Sequence, residues 1–208
     1  DIYRGMLDTA KNFGVYIVGG NMSRSPVLTI TITVIGSGRE DVGLRRSAAK
    51  PGDVVAVTGY PGYAAAGMEI LTQGTTLPEE IARIMKNHFH YPIAHMVEAQ
   101  ALVKNGIRSC IDISDGLLAD LGHICRASAV SATVNVDPLP VDWRLIRHAG
   151  EEHARELTLT GGEAYELLFT GSRKNVEKAA QDIVIPVTII GEITEAGPEP
   201  VVLKRSDG

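Results

Sequence analysis

The stretch "CIDISDGLLADLGHI" (110–124) constrains this chain more than any other. A short β-branched run ends in two acids, Asp112 and Asp115, set around Ser114. Gly116 then releases the chain into a segment with Leu117, Leu118, Leu121 and Ile124 at helical spacing. A strand that turns within a few residues into an amphipathic helix needs a sheet on one side and a helical layer on the other. The rest of the chain alternates in the same way. Strands are expected over 54–58, 109–113, 132–136, 165–169 and 187–193. Helices are expected over 62–72, from Pro78 onward, and over 93–105, 116–127, 141–149 and 172–183. The fold class is α/β, or α+β with layered helices.

Upstream of that array the pattern changes. Residues 2–13 predict a helix with Ile2, Met6, Leu7, Ala10 and Phe13 on one face. Val15–Val18 reads as a short strand, and "LTITITVI" (28–35) alternates Leu28, Ile30, Ile32 and Val34 against Thr29, Thr31 and Thr33, which predicts another. Residues 36–52, rich in glycine, serine and charge, read as a linker or crossing loop.

Composition narrows the functions. The net charge is −5 and there is no basic stripe, so nucleic acid is not expected as the main partner. No apolar run approaches the roughly 20 residues of a membrane span, and the opening "DIYRGMLDTAKNFG" is no signal peptide. It lacks an initiator Met, so the chain is expected to start inside a longer protein; the tail "VVLKRSDG" breaks off after a strand-like start, so the C-terminus too is expected to be incomplete. Two cysteines, Cys110 and Cys125, fit neither a disulfide framework nor a zinc pattern and read as reduced core thiols of a cytosolic protein.

Several stretches carry candidate chemistry. Asp112 and Asp115, one closing a strand and one opening a helix, are hard oxygen ligands suited to Mg²⁺. Ser114 and the N–H groups at the helix start suit a phosphate. Helix capping by Ser114 or Asp115 accounts for one of these residues but not for Asp112. In "VGGNMSRSP" (18–26) a strand runs into Gly19-Gly20 and a polar turn with Arg24, where backbone can approach a phosphate. In "LRRSAAKPGD" (44–53), Arg45, Arg46 or Lys50 could reach an anion, although a solvated charge cluster is commoner. In "TLTGGEAYELLFTG" (158–171), Gly161 and Gly162 read as a built turn presenting Glu163, followed by Ala164, which offers no chemistry. His88, His90 and His95 lack metal-site spacing and read as surface or core residues, and Trp143 with Leu145 and Ile146 reads as core packing.

Taken together, "GGNMSRSP", "RRSAAKPGD", "VTGYPGYAAAGMEIL", "IDISDGLLADLGHI" and "LTGGEAYELLFT" resemble, in order and spacing, the thiamine-monophosphate kinase family. That family belongs to the superfamily of aminoimidazole ribonucleotide synthetase, selenophosphate synthetase and a hydrogenase maturation protein. The resemblance implies a Mg²⁺-dependent, cytoplasmic homodimer that moves the γ-phosphoryl of ATP to thiamine monophosphate, giving thiamine diphosphate. It implies that residues 1–36 end an N-terminal ATP-binding and dimerisation domain, 37–52 link, and 53–208 form a C-terminal α/β domain. Carried over by residue, Asp112, Asp115 and Asn21 resemble metal ligands. Gly20, Asn21, Arg46 and Ser114 resemble ATP contacts, and Glu163 a substrate contact. The chain departs from the family's usual Asp at Asn21 and at Ala164, from its hydroxyl residues at Met22 and Ser23, and from a Pro-Arg pair near Pro92, where Ile93 and Ala94 stand. Those departures keep open a catalytically weak relative that binds nucleotide or thiamine phosphate, or that only dimerises. A further alternative is a superfamily member with another substrate, such as an aminoimidazole ribonucleotide synthetase-like ligase, against which Gly161-Gly162-Glu163 with Tyr165-Glu166-Leu167 argues.

Overall fold

Val54–Thr58 (β1) is buried at every position, which only a strand covered on both faces can be. In the computed structural model, which describes residues 1–38, 43–74 and 77–205, β1 sits inside a six-stranded sheet. The other strands are Ser109–Asp112 (β2), Ser131–Asn135 (β3), Leu167–Gly171 (β4), Val187–Thr194 (β5) and Val201–Lys204 (β6). Their order is β2-β4-β1-β5-β3-β6. All pairs are antiparallel except β3 with β6.

Period-two alternation divides the core between the two faces. Val55 and Val57 face one side with Ile113, Leu117, Leu121, Ile124 and Leu168. Val54 and Ala56 face the other with Leu102, Ile107, Phe169, Val176 and Ala179. Leu117–Ser128 (α5) covers the first face. Met96–Lys104 (α4) and Arg173–Asp182 (α8) cover the second. A third cluster joins helices Tyr63–Gln73 (α2), Glu79–His90 (α3), Trp143–Ala149 (α6) and Glu151–Thr160 (α7) around Met85, Leu145 and Leu157.

The expected elements recur with several corrections. The strand expected at 165–169 begins at Leu167, because Glu163 and Tyr165 adopt positive φ (62° and 53°) and cannot pleat. Helix α7 was missed, although Gly150 and Gly161 bound it and acids open it. Trp143 is not core: it is 56% exposed at the start of α6, with the Arg144 guanidinium 5.1 Å above its ring. A helix this short turns only a narrow stripe inward, and here its one buried residue is Leu145. Both cysteines are free and buried.

Contacts divide the chain into two units, Asp1–Ser37 and Gly38–Gly208. The first holds Ile2–Asn12 (α1), none of whose residues is buried. Residues 15–18 and 28–35 form no strand, contrary to their pattern. An alternating segment becomes a strand only when a neighbouring strand takes its N–H and C=O groups, and among the described residues neither segment is paired with one. Residues 39–42 of the expected linker lie outside the described residues. No helix among the described residues is long and apolar enough to cross a membrane.

Phe169, fully buried on β4, tests the packing. Phe169→Ala is expected to lower the unfolding free energy by about 3–5 kcal/mol, seen as a lower urea midpoint at unchanged slope.

Candidate functional site

Strand β2 ends at Asp112, and the chain must reverse into α5 within four residues. Asp120, one turn into that helix and buried, shapes the reversal. Its Oδ2 accepts the backbone N–H groups of Ser114 and Asp115, each at 3.0 Å. Burial pushes its carboxyl above the ordinary range; those N–H groups pull it down, and the neighbouring Asp115 charge pushes it up. The side chains of Asp112 and Asp115 are left exposed, and Ser114 half-buried.

The segment that carries the arginines is tied to the same strand. Arg45 forms a parallel bridge with Ser109, Cys110 N–H donates to the Arg45 carbonyl at 3.2 Å, and the Ser128 hydroxyl donates to the Arg46 carbonyl at 3.0 Å. The result is an open cavity of about 390 Å³ bounded by Arg45, Arg46, Asp112, Ser114, Asp115, Asp120 and His123. Ligand atoms of Asp115, Asp120 and His123 lie within 4.8 Å of one another. Two exposed carboxylates, Asp112 and Asp115, beside two arginines form a site that can take a hard divalent cation and an anion together.

Glu163 lies in an adjoining turn. Hydrogen bonding between β2 and β4 continues past both strand ends. Ile113 N–H donates to the Glu166 carbonyl (2.9 Å), Tyr165 N–H to the Ile113 carbonyl (2.8 Å), and Glu163 N–H to the Ser114 carbonyl (2.9 Å). Gly162 makes the approach possible, since a Cβ there would stand 2.7 Å from the Ser114 carbonyl oxygen. The positive φ values of Glu163 and Tyr165 cost on the order of 1–2 kcal/mol each. The Tyr165 hydroxyl donates to the Glu163 carboxylate at 3.0 Å, and that bond chiefly raises the phenol above its ordinary pKa. Glu163 also borders a small pocket of about 80 Å³ with Ala64, Ala65, Met68 and Phe89. Ala164 packs against the core.

The structure thus brings Arg46, Asp112, Ser114 and Asp115 to one cavity and sets Glu163 against its rim. Gly20, Asn21 and Arg24 belong to the first unit. Lys50 is not among the cavity's bounding residues; its N–H donates to Asp53 Oδ2 at 3.0 Å. One expectation changes: the amides of Ser114 and Asp115, apparent phosphate donors, are held by Asp120. Neither Ser114 nor Asp115 caps α5, whose N-cap is Gly116 with no side-chain cap bond. Sequence reasoning missed Asp120, His123 and Glu166. A carboxylate inside the buried stripe of α5 was a readable sign of Asp120. Glu166 is buried, accepts the Thr58 hydroxyl at 2.6 Å, and has His95 Nε2 at 3.2 Å. Burial drives both thiols up, Cys110 to about 12 and Cys125 to about 11, which makes them poor nucleophiles.

Fold and site define a layered α/β domain with an acid-rich cavity beside a clasped glycine turn. The chain belongs to the family of AIR synthase related proteins, whose C-terminal domain matches residues 50–204. It is similar to the thiamine-monophosphate kinase of Escherichia coli strain K12, at 36% identity over 194 residues, 91% of this chain and 59% of that protein. Among solved structures it resembles the thiamine-monophosphate kinase of Stenotrophomonas maltophilia K279a, with TM-score 0.70 and 32% identity over 77% of this chain and 52% of that one. It also resembles AaThiL complexed with AMPPCP and TMP, with TM-score 0.65 and 28% identity over 79% of this chain and 52% of that one. The chain spans about three fifths of the length of the curated relatives it matches.

Two substitutions test this architecture. Asp120→Ala leaves two amides without their acceptor and is expected to cost about 2 kcal/mol in urea unfolding. Gly162→Ala is expected to cost about 1–3 kcal/mol, because its Cβ must push the turn off Ser114.

Proposed function

We propose that the intact protein is a thiamine-monophosphate kinase. It moves the γ-phosphoryl of ATP to the phosphate of thiamine monophosphate, giving thiamine diphosphate and ADP. The observation that carries this reading is the meeting of Arg46, Asp112, Ser114 and Asp115 at one cavity with the Glu163 turn hydrogen-bonded to its rim. It is supported by the similarity to kinases of that name and to a structure complexed with AMPPCP and TMP.

In this reading Arg46 and Ser114 hold ATP phosphates and Glu163 faces thiamine monophosphate. A terminal oxygen of thiamine monophosphate attacks the γ-phosphorus in line, and the bond to the β-phosphate oxygen breaks, releasing ADP. No protein nucleophile takes part, which accords with the two buried thiols. Each unit pair of like charges at about 4 Å opposes the encounter by about 4 kcal/mol at an effective dielectric of about 20. Asp112 and Asp115 suit Mg²⁺, as hard oxygen donors at an open polar cavity. Gly20 and Asn21, in the first unit, are proposed as further ATP contacts, and Asn21 as a metal ligand through its neutral carbonyl oxygen. When bound, the cation would neutralise phosphate charge. Arg46 and Ser114 fix the donor, and Glu163 orients the acceptor.

We further propose that residues 1–36 end an N-terminal ATP-binding and dimerisation domain, that 37–52 link, and that 53–208 form the C-terminal domain. The working form is proposed to be a cytoplasmic homodimer.

The test supplies the intact protein with ATP, Mg²⁺ and thiamine monophosphate and follows thiamine diphosphate by chromatography. Product is expected; nucleotide binding without product in the presence of thiamine monophosphate would overturn the kinase reading. Asp115→Asn is expected to weaken Mg²⁺-dependent nucleotide binding at least about tenfold in calorimetry, with little change in melting temperature. Asp120 holds the backbone amide of Asp115, which the variant keeps.

A further inference from the structure

Behind the Glu163 turn lies a buried polar network with no place in the phosphoryl-transfer chemistry. The Glu166 side chain is 9% exposed and that of His95 8%. The Leu167 N–H donates to the Thr58 hydroxyl at 2.8 Å, and that hydroxyl donates to Glu166 Oε2 at 2.6 Å. The same oxygen lies 3.2 Å from His95 Nε2. The other ring nitrogen, Nδ1, lies 3.4 Å from Glu98 Oε2. The carboxylate of Glu166 fills the space that a side chain at residue 59 would need, and residue 59 is glycine. The backbone of Glu166 accepts the N–H of Ile113 at 2.9 Å. Glu166 therefore joins the end of β1, the turn after β2 and His95, which stands at the N-cap position of α4. It lies three residues from Glu163, in a segment where two non-glycine residues hold positive φ.

We propose that His95 and Glu166 form a positioning pair, in which the imidazolium clamps the Glu166 carboxylate and so holds the 163–166 turn in the shape that presents Glu163. The effect on substrate rests on the reading of Glu163 given above; the clamp itself does not. A buried carboxylate with one hydroxyl donor is poorly compensated, and a second, charged donor makes its burial tolerable. Only the doubly protonated ring can donate to Glu166 and Glu98 at once.

The charged groups around the ring agree in direction. The bond to Glu166 is the largest influence raising the His95 pKa; burial opposes it, and the charges of Glu166 and Glu98 support it. His88, on α3, is held below its ordinary pKa first by burial; Glu166 raises it and the His95 charge lowers it. The folded value for His95 thus exceeds the unfolded one near 6.5. The clamp's contribution is complete below about pH 6.5 and is lost as pH rises through the folded value.

The test uses hydrogen–deuterium exchange of the intact protein, corrected for intrinsic rates, at about pH 6 and about pH 8.5, to either side of histidine titration. Wild type is compared with His95→Gln, Glu166→Gln and His95→Arg, the last keeping its charge at both pH values. At the lower pH, His95→Gln and Glu166→Gln are expected to speed exchange of the Glu163 and Tyr165 amides at least about tenfold, with core amides of α5 unchanged. Wild type is expected to approach His95→Gln at the higher pH, while His95→Arg stays protected at both. Unchanged turn exchange in both neutral variants, or a uniform rise across the sheet, would overturn the proposal. Steady-state kinetics then separate the two readings. A KM for thiamine monophosphate raised about tenfold at unchanged KM for ATP supports both. The expected exchange pattern with an unmoved KM for thiamine monophosphate supports the clamp and removes Glu163 from the substrate site.

Discussion

The site depends on hydrogen bonds that continue between β2 and β4 after both strands have ended. Three backbone bonds join 113–114 to 163–166. They bind the acid-bearing loop and the glutamate-bearing turn into one body, although about fifty residues of chain separate the two. Each bond is worth only about 1 kcal/mol net. Their shared geometry matters more, because a shift of either loop must break all three. Asp120 from below and Glu166 from behind then hold the two loops in register. The exposed groups, Asp112, Asp115 and Glu163, are therefore carried by buried ones.

This layering also explains the electrostatics. Asp112 and Asp115 remain exposed and solvated at the cavity, where like charges can coexist at modest cost. The acids that are buried, Asp120 and Glu166, each have specific donors: two amides for the first, a hydroxyl and an imidazole for the second. The chain thus separates carboxylates that support the fold from carboxylates available to a ligand.

Much of this was legible in the sequence, and what was not has physical reasons. The βα unit at 110–124 was readable because strand, turn and helix are all local. Asp112, Ser114 and Asp115 stood out as polar groups placed where apolar elements end, whereas Arg46 was singled out from its charged neighbours only by the family resemblance. Asp120 left a local sign, an acid inside the buried stripe of α5 five and six residues from the amides it holds; Glu166 left none, because its partners are brought in by folding. For Glu166, those partners lie at Thr58 and His95, far away in sequence. The alternation at 28–35 was a true sign of strand preference, but preference yields a strand only where a neighbour supplies hydrogen bonds. Trp143 misled because bulk was taken for burial, while the short helix that carries it buries Leu145 instead.

The backbone at Glu163 sets two kinds of selection against each other. Its φ of 62° suits glycine or asparagine better than glutamate. Drift toward greater stability would therefore favour replacing this residue, relaxing the turn and discarding the carboxylate it presents. A glutamate persists there only while its side chain is useful, so in diverging copies of this gene position 163 would be among the first to report that the site had fallen out of use.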